Sequence, residues 1–149
     1  MRLMDVYTPR ASTTFPDEPL AAAARRMSEE HIGALVVVSR GDAAGRPVGI
    51  LTDRDIVRGQ LRRLTDLFCL TSGDVMTQDP LVFRWHMEVT EAIEALSVHG
   101  IRRAPVVDET GALAGIITLD DLLPVMAQEL TDLAGLMGTQ ARREEALRP

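Results

Sequence analysis

Apolar and polar positions along the chain form two kinds of pattern, and the same succession of patterns occurs twice. At 20–30 and 89–98, apolar residues recur at helical spacing, as in Val89, Ile93 and Leu96, predicting two amphipathic helices. Each is followed by a continuous aliphatic run, at 34–38 and 104–107, of the kind buried strands show. Second strands are predicted at 48–51 and 114–117. Between the paired strands lie turn-rich loops, one holding Gly41, Asp42 and Gly45, the other Glu109, Thr110 and Gly111. Extended segments at 12–15 and 80–84 lead into the helices. The order is β-α-β-β-α, twice.

Residue identities make the repetition explicit. Gly49-Ile50-Leu51-Thr52-Asp53-Arg54-Asp55-Ile56 aligns with Gly115-Ile116-Ile117-Thr118-Leu119-Asp120-Asp121-Leu122. Further upstream, His31-Ile32-Gly33-Ala34-Leu35-Val36-Val37-Val38 aligns with Gly100-Ile101-Arg102-Arg103-Ala104-Pro105-Val106-Val107, and Val6-Tyr7-Thr8 with Val75-Met76-Thr77. The offset changes only across the loop between the paired strands, where a length difference costs little. The chain is a tandem duplication. Each half, at roughly 60 residues, is marginal alone, so the halves are expected to bury their sheets against one another.

The remaining segments complete the expected organisation. A connecting helix is predicted over 55–70, with a break at Thr71-Ser72-Gly73. After Asp121 a long helical stretch runs towards Arg143, with interruptions expected near Pro124 or between Gly135 and Gly138. The charged tail over 141–149 is expected to fray. This gives a first repeat with its connecting helix at 1–70, a second repeat at 71–126, and a helical extension with its tail at 127–149.

Composition narrows the function classes. The 149 residues carry a net charge of −6, are 46% hydrophobic and 26% charged, and contain only 3% aromatics, so the core is aliphatic. An acidic chain of this kind is not the expected partner of nucleic acid. The single cysteine, Cys69, excludes an internal disulfide, and neither a signal-type leader nor an apolar run of membrane-spanning length is present. A cytoplasmic protein with neither nucleic-acid nor membrane partners is the expectation.

The repeated Gly-x-x-Thr-x-x-Asp carries the most chemistry. A strand ends at the Thr and a helix begins, leaving backbone N–H groups and the positive end of a helix dipole available to an anion. The Asp three residues on returns to the same face, where a carboxylate suits paired ribose hydroxyls. The same spacing also makes a capping box with no ligand. Both readings stand, with the duplication favouring a ligand.

These residues resemble a known family. Val75-Met76-Thr77-Gln78-Asp79-Pro80, His99-Gly100-Ile101-Arg102-Arg103-Ala104-Pro105-Val106-Val107-Asp108 and the two Gly-x-x-Thr-x-x-Asp motifs together are similar to a pair of cystathionine β-synthase (CBS) domains, often called a Bateman module. The resemblance spans about 6–125. It implies an α+β fold with two pseudo-symmetric clefts, a homodimer, and binding of adenosyl compounds such as AMP, ADP, ATP or S-adenosylmethionine as regulatory ligands rather than cofactors.

Carried over to this sequence, the resemblance implies a second-repeat cleft made of Thr118, Asp120 and Asp121, with Asp121 on the ribose. Arg102 and Arg103 would meet phosphate, and Ser12, Thr13 and Thr14 would close the base side. The first-repeat cleft would use Thr52, Arg54 and Asp55, faced by Thr77, Asp79 and Leu81. Gly33 and Ala34 stand there at the positions matching Arg102 and Arg103. Unequal sites are therefore expected, the second holding phosphate-bearing nucleotides and the first binding weakly, binding a nucleoside-like ligand or staying empty.

Other residues carry less. His31, His86 and His99 are scattered, without ligands at zinc spacing, and no catalytic constellation appears, so an enzyme is not expected. Cys69, within Leu67-Phe68-Cys69-Leu70, reads as a buried apolar residue. The apolar positions of the C-terminal stretch (Leu122, Leu123, Val125, Met126, Leu130, Leu133, Leu136 and Met137) fit either a core-facing helix or a partner surface. The leading function is thus a stand-alone sensor of adenine nucleotides acting through its dimer or a separate protein partner. The alternative is a structural or interaction protein with vestigial clefts.

Overall fold

The computed structural model describes residues 1–148. It contains two four-stranded sheets and five helices. The first repeat supplies β2 (Thr13–Thr14), α1 (Leu20–Glu30), β3 (Ala34–Val38), β4 (Pro47–Thr52) and α2 (Asp53–Arg63). The second supplies β6 (Phe83–Arg84), α4 (Val89–His99), β7 (Arg103–Val107), β8 (Leu113–Thr118) and α5 (Leu119–Ala146). Two short strands, β1 (Thr8–Pro9) and β5 (Thr77–Gln78), and a single-turn helix, α3 (Ser72–Val75), complete the set.

The duplication persists in the packing. Helix α1 buries Leu20, Ala23 and Met27, and α4 buries Val89, Ala92 and Leu96, the equivalent residues at helical spacing. Leu35, Val37 and Leu51 meet the first set, and Ala104, Val106 and Ile117 meet the second, forming two separate aliphatic cores. Side chains alternate across a strand, so Val36 and Pro105 point away from those helices. Both are nevertheless fully buried. Their burial marks the face on which the two sheets close against each other.

The strands leading into the repeats are exchanged. β1 pairs antiparallel with β8 of the second repeat, and β5 pairs antiparallel with β4 of the first. The sheet orders are therefore β1-β8-β7-β6 and β2-β3-β4-β5. Leu3 follows β1 across and is buried in the second core with Phe83. This crossing explains the glycine of each motif. A β-carbon on Gly115 would overlap the Thr8 carbonyl oxygen and the Tyr7 ring, and one on Gly49 would overlap Met76. The glycine is required by a strand lying over it.

Several boundaries differ from the sequence expectation. The connecting helix ends at Arg63 rather than at 70, because Leu64 takes a left-handed conformation (φ 49°) that no continuing helix allows. Cys69 is exposed, not buried; it is Leu70 beside it that enters the core. Helix α5 runs without interruption through Pro124, Gly135 and Gly138 to Ala146, so the tail is helical over most of its length. Pro124 lies in the second turn with an exposed side, where it costs one intrahelical hydrogen bond without breaking the element. Among the described residues no helix is long and apolar enough to cross a membrane.

Candidate functional site

Each repeat ends its last strand in a capping box. The Thr52 hydroxyl accepts from the Asp55 N–H at 3.1 Å, and Asp55 Oδ2 accepts from the Thr52 N–H at 2.9 Å. The second box repeats this with Thr118 and Asp121, at 3.3 and 2.9 Å. The helix N-terminus read from sequence as an open anion site is thus largely filled by the protein's own acceptors. In α2 the Asp53 N–H donates to the Gly33 carbonyl (3.1 Å), and the Arg54 N–H to Asp53 Oδ1 (2.8 Å). An anion here would have to be met mainly by side chains.

Beyond the shared box the two motifs diverge. The Thr118 hydroxyl lies 3.0 Å from Asp121 Oδ2 and donates to it. Asp121 Oδ1 accepts from the Thr8 hydroxyl on β1 at 3.1 Å. Both oxygens of Asp121 are therefore engaged by the chain. In Asp55, among the described residues, only Oδ2 accepts a hydrogen bond. Asp55 keeps one oxygen for another partner, and the Thr52 hydroxyl keeps its proton.

Two clefts flank the sheet-to-sheet contact. The larger, of about 570 Å³, lies within the size range of small-molecule sites. Thr52, Arg54, Asp55, Thr77, Asp79 and Leu81, all six residues expected in the first-repeat cleft, line it together. Arg102, Arg103 and His99, from the second repeat, line its other side. Ile50, Pro80, Ile101 and Pro105 provide apolar walls. The smaller cleft, of about 370 Å³, gathers Thr118, Asp120 and Ser12 with Arg10, and again with Arg102 and Arg103.

The arginine pair lines the smaller cleft, where the sequence expectation put it, and the larger one as well. The loop before β7 faces the motif of the first repeat, and the loop before β3 faces the motif of the second. Arg102 and Arg103 consequently border both clefts. Gly33 is what allows this. A β-carbon there would come within 3.1 Å of Arg103 Nη1 and 3.6 Å of Asp53 Oδ2, so the glycine makes room for a guanidinium from the other repeat. Among the described residues, the guanidinium groups of Arg54, Arg102 and Arg103 form no ion pair or hydrogen bond.

Three of the expected residues do not line the clefts. Asp121 does not line the smaller one. Thr14 is buried, its hydroxyl paired with that of Ser72 at 3.2 Å. The Thr13 carbonyl accepts from Arg26. Sequence reasoning missed Asp53, His99 and the apolar walls on one side, and Arg10 on the other. His99 opens a quoted motif and Arg10 lies two residues past another, but which cleft each faces depends on the strand exchange.

Comparison with known proteins fits this architecture. The CBS domain profile matches residues 3–62 and 73–128. The chain belongs to the CBS domain family. It is 36% identical over 113 residues to an uncharacterized protein of Methanopyrus kandleri, a match covering 76% of this chain and 56% of that one. The chain thus spans little more than half the length of that relative. It is 32% identical over 118 residues to the CBS domain-containing protein YhcV of Bacillus subtilis, covering 79% and 80% of the two chains. Among solved structures it resembles CBSX2 in complex with AMP, with a TM-score of 0.73, 28% identity, and coverage of 85% and 96%.

Proposed function

We propose that this CBS pair is a regulatory module that binds an adenosyl ligand, with the larger cleft as its principal site. The observation that carries the reading is the free oxygen of Asp55 in a cleft bordered by three unpaired arginines. A carboxylate with a spare oxygen accepts from a ribose diol. Apolar walls at Ile50, Pro80, Leu81 and Ile101 suit the faces of a purine. Arg102 and Arg103 offer planar forks to a phosphate tail. The similarity to CBSX2, whose structure holds AMP, supports the same ligand class.

In this reading the ligand touches both repeats at once. It contacts the N-terminus of α2 and β4 from the first, and the 99–103 loop from the second. Such contacts favour one relative angle of the repeats over another, which is how binding becomes a conformational output. The output would act through a second copy of the chain or a separate protein in the cytoplasm. The ranking of the clefts reverses the sequence expectation, because the arginines and the free aspartate meet in the larger cleft.

The test is thermal unfolding of the purified protein with AMP, ADP, ATP and S-adenosylmethionine. A ligand at about 100 times its Kd stabilises the native state by about 2.7 kcal/mol. That is several degrees for a chain of this size. A shift with at least one of the four supports the reading, and no shift with any of them favours a scaffold with unused clefts.

A further inference from the structure

One strained backbone position recurs in both repeats and carries opposite charges in the two. Arg10 and Asp79 stand at equivalent positions, two residues past the matched Thr8 and Thr77. Both are left-handed, with φ of 59° and 46°. Aspartate tolerates that region because its short side chain can hydrogen-bond locally, whereas arginine bears the steric cost. Each residue lines a cleft, Arg10 the smaller and Asp79 the larger. Backbone strain of this kind concentrates where a side chain is needed for binding.

The charge of the clefts follows the same division. The smaller is lined by Arg10, Arg102 and Arg103 against Asp120, a balance of +2 among the described residues. The larger sets Arg54 and the same arginine pair against Asp53, Asp55 and Asp79, a balance of zero. The hydroxyls of the smaller cleft are already committed. Thr8 and Thr118 donate to Asp121, and Ser12 donates to Glu30; neither carboxylate lines the cleft. Asp121, the match of Asp55, has no oxygen to spare for a ribose. The Arg10 guanidinium, like those of Arg102 and Arg103, forms no ion pair among the described residues. Recognition in this cleft therefore falls to three guanidinium groups.

We propose that the smaller cleft is a site for a nucleoside-free polyphosphate, of which inorganic pyrophosphate is the simplest example. Guanidinium forks match phosphate oxygens, and three of them in one cleft suit a polyanion. The Arg103 guanidinium stands between Gly33 of the smaller cleft and Asp53 of the larger. Arg102 and Arg103 thus serve either cleft, and a polyanion in the smaller withdraws them from a phosphate in the larger. Pyrophosphate then opposes AMP and spares adenosine. This antagonism rests on the adenosyl reading of the larger cleft, whereas the polyanion site itself does not.

Calorimetric titration of sodium pyrophosphate into the full chain, free of metal ions and at matched ionic strength, should give saturable binding. Arg10→Gly removes the cation and relieves the backbone. It should leave Tm unchanged or raised while weakening pyrophosphate at least about tenfold. Arg54→Ala, confined to the larger cleft, should weaken it less than about threefold. Asp120→Asn should tighten it. Saturating pyrophosphate should raise the Kd of AMP at least about threefold and leave that of adenosine unchanged. Absence of saturable pyrophosphate binding would overturn the proposal, as would equal losses for Arg10→Gly and Arg54→Ala. An AMP affinity indifferent to pyrophosphate would overturn the sharing of the arginines. Pyrophosphate binding in a chain that binds neither AMP nor adenosine would support the polyanion site and count against the adenosyl reading instead.

Discussion

The Thr8 hydroxyl donates to Asp121 Oδ1 at 3.1 Å across 113 positions of sequence. This bond fastens the exchanged strand β1 to the helix of the opposite repeat, and it uses the oxygen that the equivalent Asp55 leaves free. One duplicated carboxylate has thereby become structural, while the other keeps capacity for a ligand. The asymmetry of the clefts follows from this difference and from the arginines that only the second repeat carries.

The strand exchange makes Gly115 sensitive to any side chain. Gly115→Ala places a methyl against the Thr8 carbonyl and the Tyr7 ring and should destabilise by about 1–3 kcal/mol. Gly135→Ala, with nothing within 4 Å of the added carbon, should instead raise helix content and add up to about 1 kcal/mol. Chemical denaturation followed by circular dichroism measures both signs.

His31 closes α1 in a left-handed conformation (φ 53°), and its equivalent Gly100 closes α4 in the same way (φ 63°). A side chain in this region costs about 1 kcal/mol relative to glycine. His31→Gly should therefore stabilise the protein and raise Tm by about 2–4 °C.

The Asp74 carboxyl is held below the usual aspartate range by the Thr71 N–H and hydroxyl, with Arg63 adding to the effect and partial burial opposing it. The folded value thus lies below the unfolded one. Its stabilisation is present above the unfolded value, about 3.9, and is lost as pH falls through the folded value. Asp74→Asn should lower Tm near neutral pH, and the gap from wild type should close below about pH 4. A constant gap across that range would show that the carboxylate charge is not what Thr71 stabilises.

Arg102 is exposed, unpaired and on the border of both clefts. A hydrogen bond to a charged group contributes about 1.5–3 kcal/mol. Arg102→Ala should raise the Kd for AMP about tenfold or more while changing that for adenosine far less. Equal losses for the two ligands would mean that Arg102 shapes the cleft rather than meeting phosphate.

Much of this fold was legible in the residues. The helices at 20–30 and 89–99 and the aliphatic strands carry strong periodicities, and the repeat fixed their equivalence. The strand exchange was not legible, because Thr8 and Thr77 match as well within their own repeat as across it. That one ambiguity hid the fact that Arg102 and Arg103 face the first motif as well as the second. Thr14 resisted for another reason. Thr14 and Ser72 form a buried hydroxyl pair at the positions equivalent to apolar Phe83 and Leu3, and polar residues in an exposed-looking run give no sign of burial. Within α5, two glycines and a proline signalled breaks that the structure does not show.

The assignment of the larger cleft as the principal site is tested most directly by calorimetric titration of AMP into Asp55→Asn and Asp121→Asn. Both substitutions remove a capping carboxylate; Asp121→Asn also disturbs the bonds from the Thr8 and Thr118 hydroxyls, so its structural cost is the greater, yet only Asp55 has an oxygen to spare for a ligand. Asp55→Asn should raise the Kd about tenfold or more, and Asp121→Asn by less than about threefold. Equal losses, or a greater loss for Asp121→Asn, would contradict the assignment.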